Sequence, residues 1–297
     1  MTSYDIGVIG FGAMGKWFAH LYEEDGHRIR VYDTNHDRLA EAQKLGYKTA
    51  SSGRELAAKS NVTMVSVLPI RNSLDVIEDV GPILEHAQGL FDITSLKEKQ
   101  LQAMRTYVER GQYFGTHPMY AEGLFRDQTT LLVPGNSTEW YQWFKDFCVQ
   151  GGSIIKETTG AKNDDMMAII QGLLHCAQYT TGHAFRKALG THERALEVRE
   201  FESPIYRAAL NFVFRIHARN PELYWDIANE NRGRVLPYLR GFREAVDDYI
   251  RQLEEGDFDA FLEDVETTRK VFGEMVTEGS DESTSMIRAL PRRNDDH

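Results

Sequence analysis

Residues 4–33 read "YDIGVIGFGAMGKWFAHLYEEDGHRIRVYD", and no other stretch narrows the possible folds as far. A short apolar run leads into Gly10, Gly12 and Gly15 in G-x-G-x-x-G spacing. A helix-like pattern follows, then a second strand-like run closed by Asp33. The first glycine permits a sharp strand-to-helix turn, the second lets backbone approach a pyrophosphate, and the third lets helix and strand pack closely. The N-terminus of that helix offers free N–H groups to phosphate oxygens. A carboxylate at the end of the second strand, about 20 residues on, accepts ribose hydroxyls and repels a 2′-phosphate. The expected cofactor is therefore NAD, held by Gly10, Gly12, Met14, Gly15, Asp33 and, further along, Pro69. Arg38 is expected on the solvent face of the next helix.

The alternation continues. "NVTMVSVLPI" and "GLFDIT" read as buried strands, and "GQYFGTHPMY" and "TTLLVPG" as two more, with helices after most of them. Strands alternating with helices predict a doubly wound α/β sheet of Rossmann type, whose ligands sit outside the carboxyl ends of the strands. Pro69, Ser95 and His117 then share one rim. After Gly160 the strand pattern stops and only helical periodicity remains, so an all-helical C-terminal domain is expected. The predicted organisation is a nucleotide-binding domain over 1–157, a helical substrate and dimerisation domain over 158–278, and a polar tail over 279–297.

Composition closes off other classes. A net charge of −11 argues against nucleic acid, whose binding needs clustered cations. Cys148 and Cys176 lie far apart with no metal-like spacing around them, so no metal is expected. No apolar run is long enough to cross a bilayer, and the first residues lack a leader pattern. A cytoplasmic protein is expected.

The helical half carries eleven arginines and no lysine between Lys187 and Lys270. Guanidinium grips carboxylates bidentately. Arg207, Asn211 and Arg215 fall at successive i+4 positions, with Arg219 continuing the stripe and no acid within it. Two readings stand: a solvated face, or a site for an anionic substrate. On the preceding long helix, "NDDMMAIIQGLLHCAQYTTGHAFRKAL", Asp164, Gln171, His175, Gln178 and Gly182 recur at helical spacing and form a second stripe.

Four blocks give the sequence a family resemblance: "GFGAMG", "DITSLKEKQLQAM", "GTHPM", and "SPIYRAALNFVFRIHARNPELYWDI" with the downstream "LEEGDFDAFLEDVETTRKVFG". Together they resemble the prephenate dehydrogenases of tyrosine biosynthesis, from Gly10 to about Phe272. The resemblance implies a Rossmann domain, a helical domain that builds a homodimer, and NAD-dependent oxidative decarboxylation of prephenate to 4-hydroxyphenylpyruvate. It implies that His117 hydrogen-bonds the ring hydroxyl, and that Ser95 lies between that hydroxyl and the nicotinamide. Arg215 would hold a substrate carboxylate, with Arg207, His175, Tyr224 and Lys97 around the substrate. No chorismate mutase segment precedes Gly10, so a single activity is expected.

Three positions depart from the family pattern. Ala121 and Glu122 stand where Gly-Pro is common, Asn163 where a histidine precedes Asp164, and Gln100 where a proline opens the helix after Lys97. Glu122 leaves arogenate open as the substrate, since a carboxylate favours an ammonium. β-Hydroxyacid dehydrogenases share the two-domain plan, but their helix lysine is followed four residues on by asparagine. Here Met166 follows Lys162 at that distance. A non-catalytic NAD-responsive regulator would have no need of Ser95, His117 and Arg215 together.

Overall fold

The computed structural model describes residues 2–218, 220–277 and 279–280. They form two compact units. The first holds the chain up to Gly172 together with Glu222–Arg234, and the second holds Leu173–Pro221 and the chain from Val235 on. Arg219 and most of the expected tail lie outside the described residues.

The first unit is built on one eight-stranded sheet of order β3-β2-β1-β4-β5-β6-β7-β8. In chain order its elements begin β1 (Asp5–Ile9), α1 (Ala13–Glu24), β2 (Arg28–Tyr32), α2 (His36–Lys44), β3 (Lys48–Thr49) and α3 (Gly53–Ala58). They continue with β4 (Val62–Val65), α4 (Asn72–Val80), β5 (Gly89–Asp92), α5 (Glu98–Tyr107), β6 (Gln112–Pro118), β7 (Thr129–Val133), α6 (Glu139–Gln150), β8 (Ile154–Glu157) and α7 (Gly160–Met167). The central strands are apolar almost without interruption because both faces are covered. Ile6, Val8, Met64, Phe91 and Phe114 join a core with α1 and α6. Their neighbours Ile9, Val65, Leu90 and Tyr113 join another with α3, α4 and α5. Adjacent residues point to opposite faces, which fixes the register of each strand.

The strand order reverses between β1 and β4, the switch point where such sheets take ligands. Two details differ from the expected sheet. β6 and β7 pair antiparallel, His117 opposite Leu131, because no helix lies between them and a parallel return needs a crossover. The short β3 and the mostly exposed β8 add edge strands that apolar patterning does not mark.

The helical elements are α8 (Leu174–Leu189), α9 (His192–Glu200), α10 (Pro204–Ala218), α11 (Pro221–Glu230), α12 (Arg232–Glu255) and α13 (Phe258–Phe272). The expected long helix forms as α7 and α8, but Ala168–Leu173 between them is a π-helical turn. A π turn breaks the 3.6-residue period. The stripe expected from Asp164 through Gly182 rests on that period and does not run unbroken.

In the second unit α8 packs on α10. Gly182 permits the approach, since a Cβ there would lie 2.3 Å from His217 Cε1. Neither α8, α9 nor α13 buries a residue within this chain, and Ile205, Phe214 and Leu253 are exposed. Apolar surface of this extent marks a face that association covers.

Candidate active site

The glycine turn lies at the end of β1. Gly10 has φ +94° and a Cβ there would lie 2.2 Å from the Ser66 carbonyl oxygen, so only glycine makes this turn. A Cβ on Gly15 would lie 1.9 Å from the Gly10 carbonyl oxygen, so only glycine lets α1 start this close to the strand. Gly12 is the opposite case: a Cβ would meet nothing within 4 Å. That open space fronts the N-terminus of α1, which has no side-chain cap and no acid in its first turn. Uncapped N–H groups and the positive end of the helix dipole suit a pyrophosphate. Met14, the second residue of α1, packs partly into the core beneath.

Asp33, at the end of β2, is 6% exposed. Its Oδ2 accepts the backbone N–H of Phe11 at 2.7 Å, and its Oδ1 that of Asn35 at 2.8 Å. Arg38 is exposed on α2, as expected, yet its Nη1 also comes within 3.4 Å of Asp33 Oδ2. Asn35 caps α2, and Arg38 lies in the first turn of that helix, five residues from Asp33. Pro69 follows β4 and is half-buried on the same rim.

β1, β4, β5 and β6 are parallel neighbours, so the residues after Ile9, Val65, Asp92 and at His117 line one edge. His117 is 3% exposed. Burial, and after it the Lys97 charge, pull its imidazole down to about 3, so the ring is neutral throughout the physiological range. Lys97, expected beside the substrate, is wholly buried. Its ammonium is turned to the Asp92 carboxylate, with the Thr94 hydroxyl oxygen at 3.2 Å. Desolvation lowers its pKa, opposed by Asp92. Gly115 on β6 makes room for its stem, since a Cβ there would lie 3.0 Å from Lys97 Cδ.

Two residues of α7 organise the loop between β5 and α5. Asp164 Oδ1 accepts the Lys97 backbone N–H at 2.7 Å and Oδ2 accepts that of Glu98 at 3.1 Å, capping α5 from outside its own chain segment. Asn163 is 1% exposed. Its Nδ2 donates to the Ser95 carbonyl at 3.0 Å, and its Oδ1 faces His117 Nδ1 at 3.4 Å. Ser95 itself is half-buried. The sequence places Asp164 only in a helix stripe and Asn163 only as a departure from the family pattern; the adjacency of two polar residues opening an apolar helix is the signal that could have found them. Gln100 is buried in α5, and its Nε2 donates to Ser73 Oγ at 3.2 Å, tying α5 to α4.

Residues Glu222–Arg234 belong to this unit and carry Tyr224. Asn231 Nδ2 donates to the Asp164 carbonyl at 2.6 Å. Arg71 pairs with Asp226 at 2.5 Å, Lys99 with Glu230 at 2.8 Å, and Arg234 with Glu98 at 2.7 Å.

In the second unit Arg207 and Arg215 lie on α10, two turns apart. Arg207 has an acidic neighbour just outside the stripe, Glu202 Oε1 at 3.8 Å, while its Nε is buried with no hydrogen-bond partner among the described residues. His175 on α8 is drawn down to about 4, first by burial and then by the Arg215 charge. Among the described residues no cluster suits a metal ion, and no helix is long and apolar enough to cross a membrane.

Comparison with known proteins runs along the same two halves. A probable arogenate/prephenate dehydrogenase of Methanocaldococcus jannaschii is 30% identical over 97% of this chain and 66% of its own length. A T-protein of Enterobacter agglomerans is 29% identical over 95% of this chain and 71% of its own. The chain thus spans about two thirds of the length of these relatives. A solved prephenate dehydrogenase from A. aeolicus, bound to hydroxyphenyl propionate and NAD+, has the same fold, with a TM-score of 0.72 at 20% identity over 92% of this chain and 99% of that one. Residues 18–156 match the prephenate dehydrogenase nucleotide-binding domain, and residues 159–267 match the dimerization domain that follows it. With both halves matched in order, the chain belongs to the prephenate dehydrogenase family.

Proposed function

We propose that this protein is an NAD-dependent dehydrogenase that oxidatively decarboxylates prephenate, with arogenate as the alternative ring-carboxylated substrate. The observation that carries this reading is a histidine, buried and neutral, on the strand rim that begins at the glycine turn. A neutral imidazole is the group needed to take a proton from an alcohol as it is oxidised.

When bound, NAD supplies the hydride acceptor; Gly10, Gly12, Met14 and Gly15 would hold its pyrophosphate, Asp33 its ribose, and Pro69 the nicotinamide end. His117 accepts the proton of the ring hydroxyl as the carbon bearing it loses hydride. It returns that proton to the oxygen when the ring carboxylate departs as CO2 and the ring becomes aromatic. Ser95 orients the same hydroxyl. Lys97 acts from beneath, its charge disfavouring protonation of His117 before substrate arrives. Arg215 grips a substrate carboxylate, with Arg207 and His175 of the same unit as further candidates, and the family resemblance alone assigns Tyr224 to the substrate. Fixed guanidinium groups are needed because a dianion must approach a chain of net charge −11.

We assign the nucleotide to residues 1–157 and the substrate and a homodimer contact to residues 158–278. The exposed apolar residues of the second unit and the match to a dimerization domain support that contact. The test is NADH formation with prephenate, arogenate and a panel of simple hydroxyacids. Turnover of prephenate or arogenate alone is expected. Turnover of hydroxyacids but neither cyclohexadienyl acid would overturn the reading.

A further inference from the structure

We infer that Asn163 is a positioning residue that fixes the tautomer of His117, keeping the proton on Nδ1 and leaving Nε2 as the bare acceptor. The inference rests on the reading of His117 as the proton acceptor.

The argument begins with the amide. Terminal O and N of an asparagine are assigned from the groups around them. The Asn163 Nδ2 position has two neighbours, the Ser95 carbonyl oxygen at 3.0 Å and Asp164 Oδ1 at 2.9 Å. Both are acceptors, and Asp164 Oδ1 already takes the Lys97 backbone N–H at 2.7 Å. An oxygen placed there would face two oxygens, so the nitrogen must occupy that side. The Asn163 carbonyl oxygen is then the atom 3.4 Å from His117 Nδ1. An amide oxygen only accepts, so Nδ1 must carry the hydrogen. A neutral imidazole has one N–H, and Nε2 is left with its lone pair. The contact is long for a hydrogen bond, as proton-transfer sites are before substrate closes them.

Among the described residues Asn163 Oδ1 is the one hydrogen-bond partner of the ring. Lys97 is the charge that acts on the ring, and its ammonium is directed to Asp92. Asp164 is occupied by the backbone N–H groups of Lys97 and Glu98. The chain from Ser95 carbonyl through Asn163 to His117 therefore couples ring orientation to the loop that carries Ser95. A histidine in the wrong tautomer would present an N–H to the substrate hydroxyl and take no proton.

The test uses the full-length protein labelled with nitrogen-15 histidine, without substrate or cofactor. His117→Asn identifies the resonances of this ring. In wild type at neutral pH, Nδ1 is expected to show the protonated pattern and Nε2 the unprotonated one. The reverse pattern would overturn the inference while leaving the dehydrogenase reading standing. Asn163→Ala is expected to mix the two tautomers and to lower kcat by roughly 10- to 100-fold with KM changed little, as for loss of one buried hydrogen bond.

Because Asn163→Ala also frees the Ser95 carbonyl, Asn163→Asp separates the two roles. Its second oxygen would face Asp164 Oδ1, so the two carboxyl groups share one proton, and the donor to the Ser95 carbonyl is lost as in the alanine variant. The oxygen facing Nδ1–H still accepts, so the Nδ1-protonated pattern is expected to persist in Asn163→Asp. A tautomer pattern untouched by Asn163→Ala, or one lost in Asn163→Asp as well, would each show that Asn163 only supports the loop. A wild type that turns over neither prephenate nor arogenate would instead remove the reading beneath the inference.

Discussion

The backbone N–H of Phe11, inside the glycine turn, donates to Asp33 Oδ2 at 2.7 Å. One carboxylate thus ties the glycine turn to the end of β2, where the proposed cofactor's ribose would sit. Its position is set by backbone, so it is in place before any ligand arrives.

That placement has a consequence for cofactor choice. A fixed carboxylate facing a 2′-phosphate is repulsive, while Arg38 at 3.4 Å softens the repulsion. NAD is expected to exceed NADP in kcat/KM by about tenfold or more, the equivalent of ~1.4 kcal/mol. Arg38→Ala should widen the gap by lowering NADP use. Equal kcat/KM values for the two cofactors in wild type would mean that Asp33 does not meet the ribose.

Two glycines of the same turn should separate folding from binding. Gly15→Ala forces a methyl against a backbone carbonyl at 1.9 Å, so a lower Tm is expected, with a cost of ~1–3 kcal/mol or more. Gly12→Ala adds a methyl to open space, so Tm should hold while NAD Kd rises, because the methyl occupies the pyrophosphate's approach. Thermal melts and NAD titration of both variants check this. A Gly12→Ala protein that binds NAD like wild type would move the phosphate site elsewhere.

Stability should fall in acid for a stated reason. His117 is drawn down to about 3 and His175 to about 4 in the folded protein, against about 6.5 for a free imidazole. The unfolded chain takes up these protons first, so the stabilisation is full above about pH 6.5 and is lost as pH falls toward those values. Each group adds a slope of at most ~1.4 kcal/mol per pH unit. Urea midpoints at about pH 7 and about pH 4.5 measure it, and His175→Asn should flatten the loss. An unchanged slope in that variant would show that His175 titrates alike in both states.

Arg215→Gln keeps a polar side chain of similar reach and removes the charge. A charged hydrogen bond worth ~1.5–3 kcal/mol is lost, or roughly 10- to 150-fold. The carboxylate is held in ground and transition states alike, so the loss should appear in prephenate KM, with kcat and NAD Kd nearly unchanged. An unchanged KM would leave Arg215 as part of a solvated face.

Much of this was legible in the residues, and the reasons for the rest are local. The glycine turn, Asp33 and the strand rim follow from spacing, because a doubly wound sheet leaves few ways to arrange them. Asp92 reads as an ordinary strand end, and only the fold turns the ammonium of Lys97 onto it. Asn163 looks like a departure from a family pattern until Ser95, on the loop after β5, and His117, on β6, are brought to it. The π turn at Ala168–Leu173 leaves no mark in apolar spacing. Arg38 reads as solvent-facing and is exposed, but sequence distance does not show that its guanidinium also reaches Asp33.

The central claim is that His117 takes the substrate's proton, and the kcat of His117→Asn tests it most directly. Measured as NADH formation with prephenate, turnover is expected to fall by ~10²–10⁴-fold, as for loss of a general base. NAD Kd and Tm should stay near those of wild type, and the acid limb of the pH profile should vanish. A variant that keeps near-wild-type kcat would contradict the account and reduce this histidine to a packed core residue.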